Sequence, residues 1–154
     1  MLVESGKGTG ESRFSGKGIT KRFGALAVLE NVDFSMGTGE AVGIVGPNGA
    51  GKTTLLATLS GAYPPSAGTV TFAGRDVTRL SAAARCRLGL VRTHQVPKPF
   101  SGMTTFENVY VAASHSDVRD GDEAYERVID SLTLCGMLGV ANRRAETLGL
   151  LDRK

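Results

Sequence analysis

The sequence predicts an α/β fold: one strand–loop–helix unit set among short antiparallel strands, followed by a helical half. Three observations carry this. Ala41 to Val45 is a short, uncharged apolar run, the pattern of a buried parallel strand. Thr54 to Leu59 places Leu55, Leu56 and Leu59 at helical spacing. Between them, Gly46-Pro47-Asn48-Gly49-Ala50-Gly51-Lys52-Thr53 satisfies G-x-x-x-x-G-K-[ST], the phosphate-binding loop.

That loop needs these residue types. Glycines let the backbone double back and point successive N–H groups into one anion-binding concavity. Lys52 adds a point charge aimed at β- and γ-phosphates, and the Thr53 hydroxyl is suited to hold Mg²⁺. A helix starting near Lys52 directs its positive N-terminal end at the same anion. The nucleotide-binding candidates are therefore Gly46, Pro47, Asn48, Gly49, Ala50, Gly51, Lys52, Thr53 and Thr54.

Taken in order, residues 1–12 are Gly, Ser, Lys and Glu with little apolar content, and read as a mobile tail. Ser5-Gly6-Lys7-Gly8 recurs as Ser15-Gly16-Lys17-Gly18; without the full motif or a preceding strand, both read as flexible surface. Strands are expected over Phe14 to Phe23 and Val32 to Met36, with turns at Gly24 and Gly37 to Glu40. Thr69 to Ala73 alternates like a half-exposed strand, and Gly74 to Asp76 follows as a turn. Ser81 caps a short helix over Ala82 to Arg87, and Leu88 to Thr93 reads as a further strand. Gln95 to Gly102 is a loop with two prolines. Thr104-Thr-Phe-Glu107 fits a capping box that opens a helix through about Ser114. Asp117 to Asp122 is a polar break. A second helix, Glu123 to Met137, sets Ala124, Val128, Ile129, Leu132 and Cys135 along one face. The expected organisation is a tail at 1–12, a nucleotide-binding core with its β layer at 13–102, and a helical subdomain at 103–154.

Composition narrows the class. The chain has 154 residues, 41% hydrophobic and 21% charged, which suits one soluble domain with a sizeable core. A net charge of +3 with interspersed signs gives no argument for a nucleic-acid partner. Cys86 and Cys135 are far apart and only two histidines are present, against a zinc or disulfide framework. No apolar run reaches membrane-spanning length and the start lacks a signal-peptide core, so membrane contact is expected only through a partner.

From about Phe14 to Lys154 the chain resembles the nucleotide-binding subunit of ABC transporters, with the family's pieces in order. Lys21-Arg-Phe-Gly24 resembles the loop whose aromatic stacks on adenine, which implies that role for Phe23; the competing reading of Phe23 is a core aromatic. Val28 matches an aliphatic residue packed against the base. Gln95, in Arg92-Thr-His-Gln95, matches the glutamine that in the family touches Mg²⁺ and the attacking water, in a loop that meets the membrane subunit. His94 is expected to pack, partly buried. Arg92-Thr-His-Gln95 with Phe106-Glu-Asn-Val109, and Leu148-Gly-Leu-Leu-Asp-Arg-Lys154, look closest to the branched-chain amino-acid uptake branch. Leu148 to Asp152 aligns with the family's signature loop but lacks its serine and second glycine. No apolar run ends in Asp-Glu and no switch histidine follows. The resemblance therefore implies a P-loop NTPase core of ABC type, truncated on its C-terminal side, the N-terminal portion of a longer protein.

For that parent the resemblance implies Mg·ATP binding and hydrolysis that drives solute import, with Lys52 and Gln95 as the catalytic candidates and Thr53 and Gln95 at the metal. It implies permease subunits and a second ATP-binding subunit as partners, and a place on the cytoplasmic face of the cell membrane. None of Asp33, Asp76 or Asp130 follows a strand suited to presenting a general base. The rivals are a soluble ABC-type ATPase, a small-molecule P-loop kinase, and a nucleotide-binding module without turnover.

Overall fold

A computed structural model describes residues 2–5, 12–115 and 120–149. It divides into two compact units, residues 1–92 and residues 93–154. The segment 93–102 belongs to the second unit, because Asn108 holds it there: Phe100 N–H donates to Asn108 Oδ1 at 2.8 Å, and Asn108 Nδ2 donates to Phe100 O at 3.3 Å.

In the first unit the chain runs β1 (Leu2–Ser5), β2 (Ser12–Phe23), β3 (Leu26–Gly37), β4 (Val42–Val45), α1 (Lys52–Leu59), β5 (Ala67–Phe72), β6 (Arg75–Asp76) and α2 (Ala82–Arg87). Strands β3-β2-β5-β6 form one antiparallel sheet in that order, and β1-β4 form a second. The β2–β3 hairpin turns at Gly24, whose φ of +59° suits the tight reversal, and Phe23 pairs with Leu26. Strand β3 thus begins six residues before the expected Val32, because the hairpin ladder continues to the turn itself.

The sheet's inner face supplies Phe14, Ile19, Leu29, Phe34 and Val70, and α1 contributes Leu55 and Leu59 to the same core. Phe14 packs edge-on against Phe34 and Phe72, with centroids 5.4 and 5.9 Å apart. Gly16 belongs to this interface. A Cβ there would come within 2.9 Å of both Leu59 Cδ2 and Ile19 Cγ1, so the missing side chain is what lets α1 approach β2. The Ser15–Gly18 repeat is therefore part of strand β2 and not flexible surface. Leu56, on the other face of α1, is 46% exposed.

Three further expectations are corrected. Leu2–Ser5, read as tail, pairs antiparallel with Val42–Val45, because β4 offers an open apolar edge; residues 6–11 lie outside the described part. Leu88 to Thr93 is turn and irregular chain, since it has no strand partner among the described residues. The Ala41–Val45 run, expected in a parallel ladder, is antiparallel to β1, and Val45 is 50% exposed; an apolar run does not itself distinguish burial on one face from burial on two.

Arg85 is the largest fully buried side chain. Its guanidinium donates to four carbonyls: Leu80 O at 3.1 Å, Thr78 O at 3.0 Å, Thr58 O at 3.1 Å and Leu59 O at 2.5 Å. The last two are C-terminal carbonyls of α1, where a cation also complements the helix dipole. Burial pushes the Arg85 pKa below its ordinary value, partly opposed by the charge of Asp76.

The second unit contains α3 (Thr105–Ser114), α4 (Gly121–Leu134) and two short 3₁₀ turns, Leu138–Val140 and Ala145–Thr147. The capping box forms as expected: Glu107 N–H donates to Thr104 Oγ1 at 3.2 Å, and Thr104 N–H donates back to Glu107 Oε2 at 2.7 Å. Helix α4 is capped by Asp120 and buries Ala124, Val128 and Leu132. Cys135, expected on that face, is exposed, because the helix ends at Leu134.

Two predictions follow from these contacts. Arg85→Met should destabilise the first unit by about 2–4 kcal/mol in denaturant unfolding, because buried carbonyls lose charge-assisted donors. Lys, with a point charge and no planar fork, should restore only part of it. The hydrogen bonds from Thr104 hold Glu107 below its ordinary carboxylate value of 4.5. A depressed folded-state pKa gives stability that is present above 4.5 and is lost as pH falls through the lower folded value. In acid titration Glu107→Gln should therefore flatten that limb of the stability profile, leaving neutral-pH stability lower than in the parent.

Candidate functional site

The phosphate loop spans the six residues between β4 and α1, in the first unit. Strand β4 delivers Gly46, and α1 starts at Lys52 with Gly51 as its N-cap. Ala50 N–H donates to Pro47 O at 3.2 Å, which closes the turn, and Leu55 N–H reaches Gly51 O at 2.8 Å, which starts the helix. Gly49 and Gly51 both sit in the left-handed region, at φ +83° and +85°.

Those two glycines are needed for different reasons. A Cβ on Gly49 would meet nothing within 4 Å, so its backbone lines open space. A Cβ on Gly51 would meet Leu29 Cδ2 at 2.9 Å and Val28 O at 3.0 Å. Strand β3 thus braces the back of the loop, and the same contact places Val28, a candidate from sequence, beside it, with Val28 Cγ1 3.6 Å from that position.

The electrostatics fit an anion. The first N–H groups of a helix have no intrahelical acceptor and carry partial positive charge. In α3 and α4 side chains answer these groups, Thr104 with Glu107 and Asp120 respectively, and each first turn carries acidic residues. Helix α1 has no side-chain cap and no acidic residue in its first turn. Lys52 adds its ammonium to this end. Its Nζ donates to Gly46 O at 2.6 Å and Pro47 O at 2.7 Å, so the side chain folds back over the loop and keeps a third donor. Thr53 is exposed and Thr54 half-buried, both in the first turn. The residues present therefore suit a polyphosphate. For Mg²⁺, the chain offers the exposed Thr53 hydroxyl; the described residues contain no cluster of three His, Cys, Asp or Glu side chains placed to hold a metal.

Phe23 is not in the core. It is 44% exposed at the end of β2, edge-on to Tyr63 with centroids 5.5 Å apart. Tyr63 has no motif to mark it in the sequence, and neither does Arg85. Asn108 lies inside the Phe106–Val109 run, and its fixing of the loop at Phe100 explains that residue type there.

In the second unit Gln95 lies exposed in a bend, and His94, expected to be partly buried, is exposed as well because no described element packs over the segment. Between α3 and α4 a groove of about 530 Å³ is lined by Met103, Phe106, Tyr110, Val111 and Tyr125, with Glu107 and Asp122. Phe106 stacks on Tyr110 at 6.0 Å and meets Tyr125 at 5.1 Å. Of the expected signature region, Leu148 is buried and Gly149 exposed, while residues 150–152 lie outside the described part.

A strand, a glycine loop with a lysine, and an uncapped helix define the class: a P-loop nucleotide-binding domain. The family model described as ABC transporter matches residues 29–150, and the chain belongs to that family. The high-affinity branched-chain amino acid transport ATP-binding protein LivG of Salmonella typhimurium is 36% identical over 152 residues, covering 89% of this chain and 59% of that protein. The lipoprotein-releasing system ATP-binding protein LolD of Bacteroides thetaiotaomicron is 40% identical over 138 residues, covering 86% and 62%. Among solved structures, the ADP conformation of the ATP-binding cassette MJ1267 superposes with TM-score 0.74 at 25% identity, over 92% of this chain and 61% of that one. The dimeric cassette MJ0796 gives 0.78 at 22% identity, over 91% and 65%. The chain thus spans about 59% of the length of the LivG relatives it matches. No helix among the described residues is long and apolar enough to cross a membrane.

The glycine contrast is testable. Gly51→Ala should cost about 2–4 kcal/mol of stability, from left-handed strain plus the clash with β3. Gly49→Ala should cost only the strain, about 1–2 kcal/mol. Paired thermal melts measure the difference.

Proposed function

We propose that this chain is the ATP-binding portion of an ABC transporter's ATPase subunit. The uncapped α1 start beneath the Gly46–Thr53 loop carries this reading. The loop amides and Lys52 would bind and neutralise the β- and γ-phosphates, and the Thr53 hydroxyl would hold Mg²⁺, which screens the phosphate charge when bound. Phe23 and Val28 would face the base. Gln95 would help position water and metal. Hydrolysis of the γ-phosphate to drive solute import is assigned to the full-length parent.

Branched-chain or other amino acids are the favoured solute, on the LivG likeness; relatives named for lipoprotein release and for sulfate and thiosulfate import also match this chain at similar identity. The partners would be permease subunits and a second ATP-binding subunit, with the chain peripheral on the cytoplasmic membrane face. The apolar α3–α4 groove, with exposed Phe100 and Met103 nearby in sequence, supports a protein partner on the second unit. A soluble ABC-type ATPase is the alternative, which a permease-free parent would favour.

Mg·ATP at ~100 times its dissociation constant should stabilise the chain by about 2.7 kcal/mol. Lys52→Ala should remove most of that shift; an equal shift in the variant sinks the assignment. Phosphate release by residues 1–154 should not exceed the Lys52→Ala control, because among the described residues none of Asp33, Asp76 and Asp130 follows a strand suited to presenting a general base, and such help is worth roughly 10²- to 10⁴-fold.

A further inference from the structure

We propose that Lys21, Tyr63 and the Pro64 carbonyl form a clamp that holds the Phe23 ring as a preset stacking platform for the base of a nucleotide. Tyr63 and Lys21 are then positioning residues for base recognition. The proposal rests on the nucleotide-binding reading above and extends it to Tyr63, which no motif marks, and to Lys21, to which the resemblance gives no role.

Phe23 is the last residue of β2, next to the Gly24 turn. A phenyl ring at a hairpin tip, without core packing, is free to change rotamer. Here three contacts oppose that freedom. The Tyr63 ring stands at 87° to Phe23 with centroids 5.5 Å apart, a favoured edge-to-face pair. Lys21 Nζ lies 5.0 Å from the Phe23 centroid and 5.9 Å from that of Tyr63, within cation–π range of both. The same ammonium donates to Pro64 O at 2.8 Å, which fixes where the charge sits.

The segment carrying Tyr63 is itself fastened to β2. Ser66 N–H donates to Thr20 O at 2.8 Å, and Arg22 N–H donates to Ser66 Oγ at 3.0 Å. Ala62 and Tyr63 N–H both reach Ala57 O, at 2.9 and 3.2 Å, which ties the segment to the end of α1. Two stiff elements therefore join the platform to the phosphate loop. Helix α1 starts at the loop and leads into Tyr63. Strand β3 starts opposite Phe23, at Leu26, and touches Gly51 through Val28 and Leu29.

Phe23 and Tyr63 nevertheless stay 44% and 45% exposed, so the clamp orders the ring without covering it. Packing that served only the core would bury them. An exposed, pre-ordered aromatic surface suits stacking on a flat heterocycle, which then loses little rotamer entropy on binding.

The test separates base from phosphate. The full chain and its variants are titrated with ATP and with inorganic tripolyphosphate, both at equal Mg²⁺, with melting curves to confirm folding. Tyr63→Leu and Lys21→Met should weaken ATP binding about 3- to 10-fold, the value of one freed side chain, while tripolyphosphate binding stays at the parent level. Tyr63→Phe keeps the ring and should keep parent affinity for ATP. Unchanged ATP binding in Tyr63→Leu overturns the clamp. Equal weakening of both ligands also overturns it, since support of the fold would act on both. Failure of the parent chain to bind either ligand in a Lys52-dependent way has a different meaning: it removes the phosphate-site reading, and the clamp with it.

Discussion

Helix α1 has only eight residues, too few to hold itself in water, so its position depends on what grips it. Leu55 and Leu59 lock one face into the β2–β3–β5 sheet, and Gly16 removes the side chain that would keep them apart. Arg85 binds the carbonyls at the C-terminal end, and β3 presses against Gly51 at the other. The phosphate loop has little structure of its own. Its curvature is defined because both its strand and its helix are fixed.

That grip also explains why the start of α1 can stay open. Helices α3 and α4 satisfy their first N–H groups with Thr104 and Asp120, as helices that serve only the fold usually do. Helix α1 gives up that stabilisation, worth about 1 kcal/mol per cap. Burial and the Arg85 bonds offset the loss from the far end. The result is a set of donors and a lysine with no carboxylate in the first turn to compete for them. This is a local departure from the rules of helix stability at a position where an anion would supply the missing partner.

The second unit follows a different logic. The capping box expected from the sequence forms, and Asn108 ties the proline-containing loop to α3. Phe106, Tyr110 and Tyr125 gather in the groove between α3 and α4 instead of filling a core. Leu148 is buried and holds the chain that follows the second 3₁₀ turn.

The sequence by itself determined the strand–loop–helix order, the glycine and lysine positions of the loop, the α3 cap and the Ala124–Val128–Leu132 face of α4. All of these are set by residues a few positions apart, where backbone geometry and periodicity act directly. Only the tertiary structure decided the rest. It showed that β4 pairs antiparallel with Leu2–Ser5, that Leu88–Thr93 is not a strand, and that Ser15–Gly18 lies inside one. It brought Tyr63 to Phe23, Arg85 to the end of α1, and Val28 to Gly51. Those pairs are separated by 23 to 40 positions in the chain. A strand needs a partner edge and a buried arginine needs carbonyls, and neither requirement names its partner in the local sequence. Contacts of that kind exist only once the sheet has closed around α1.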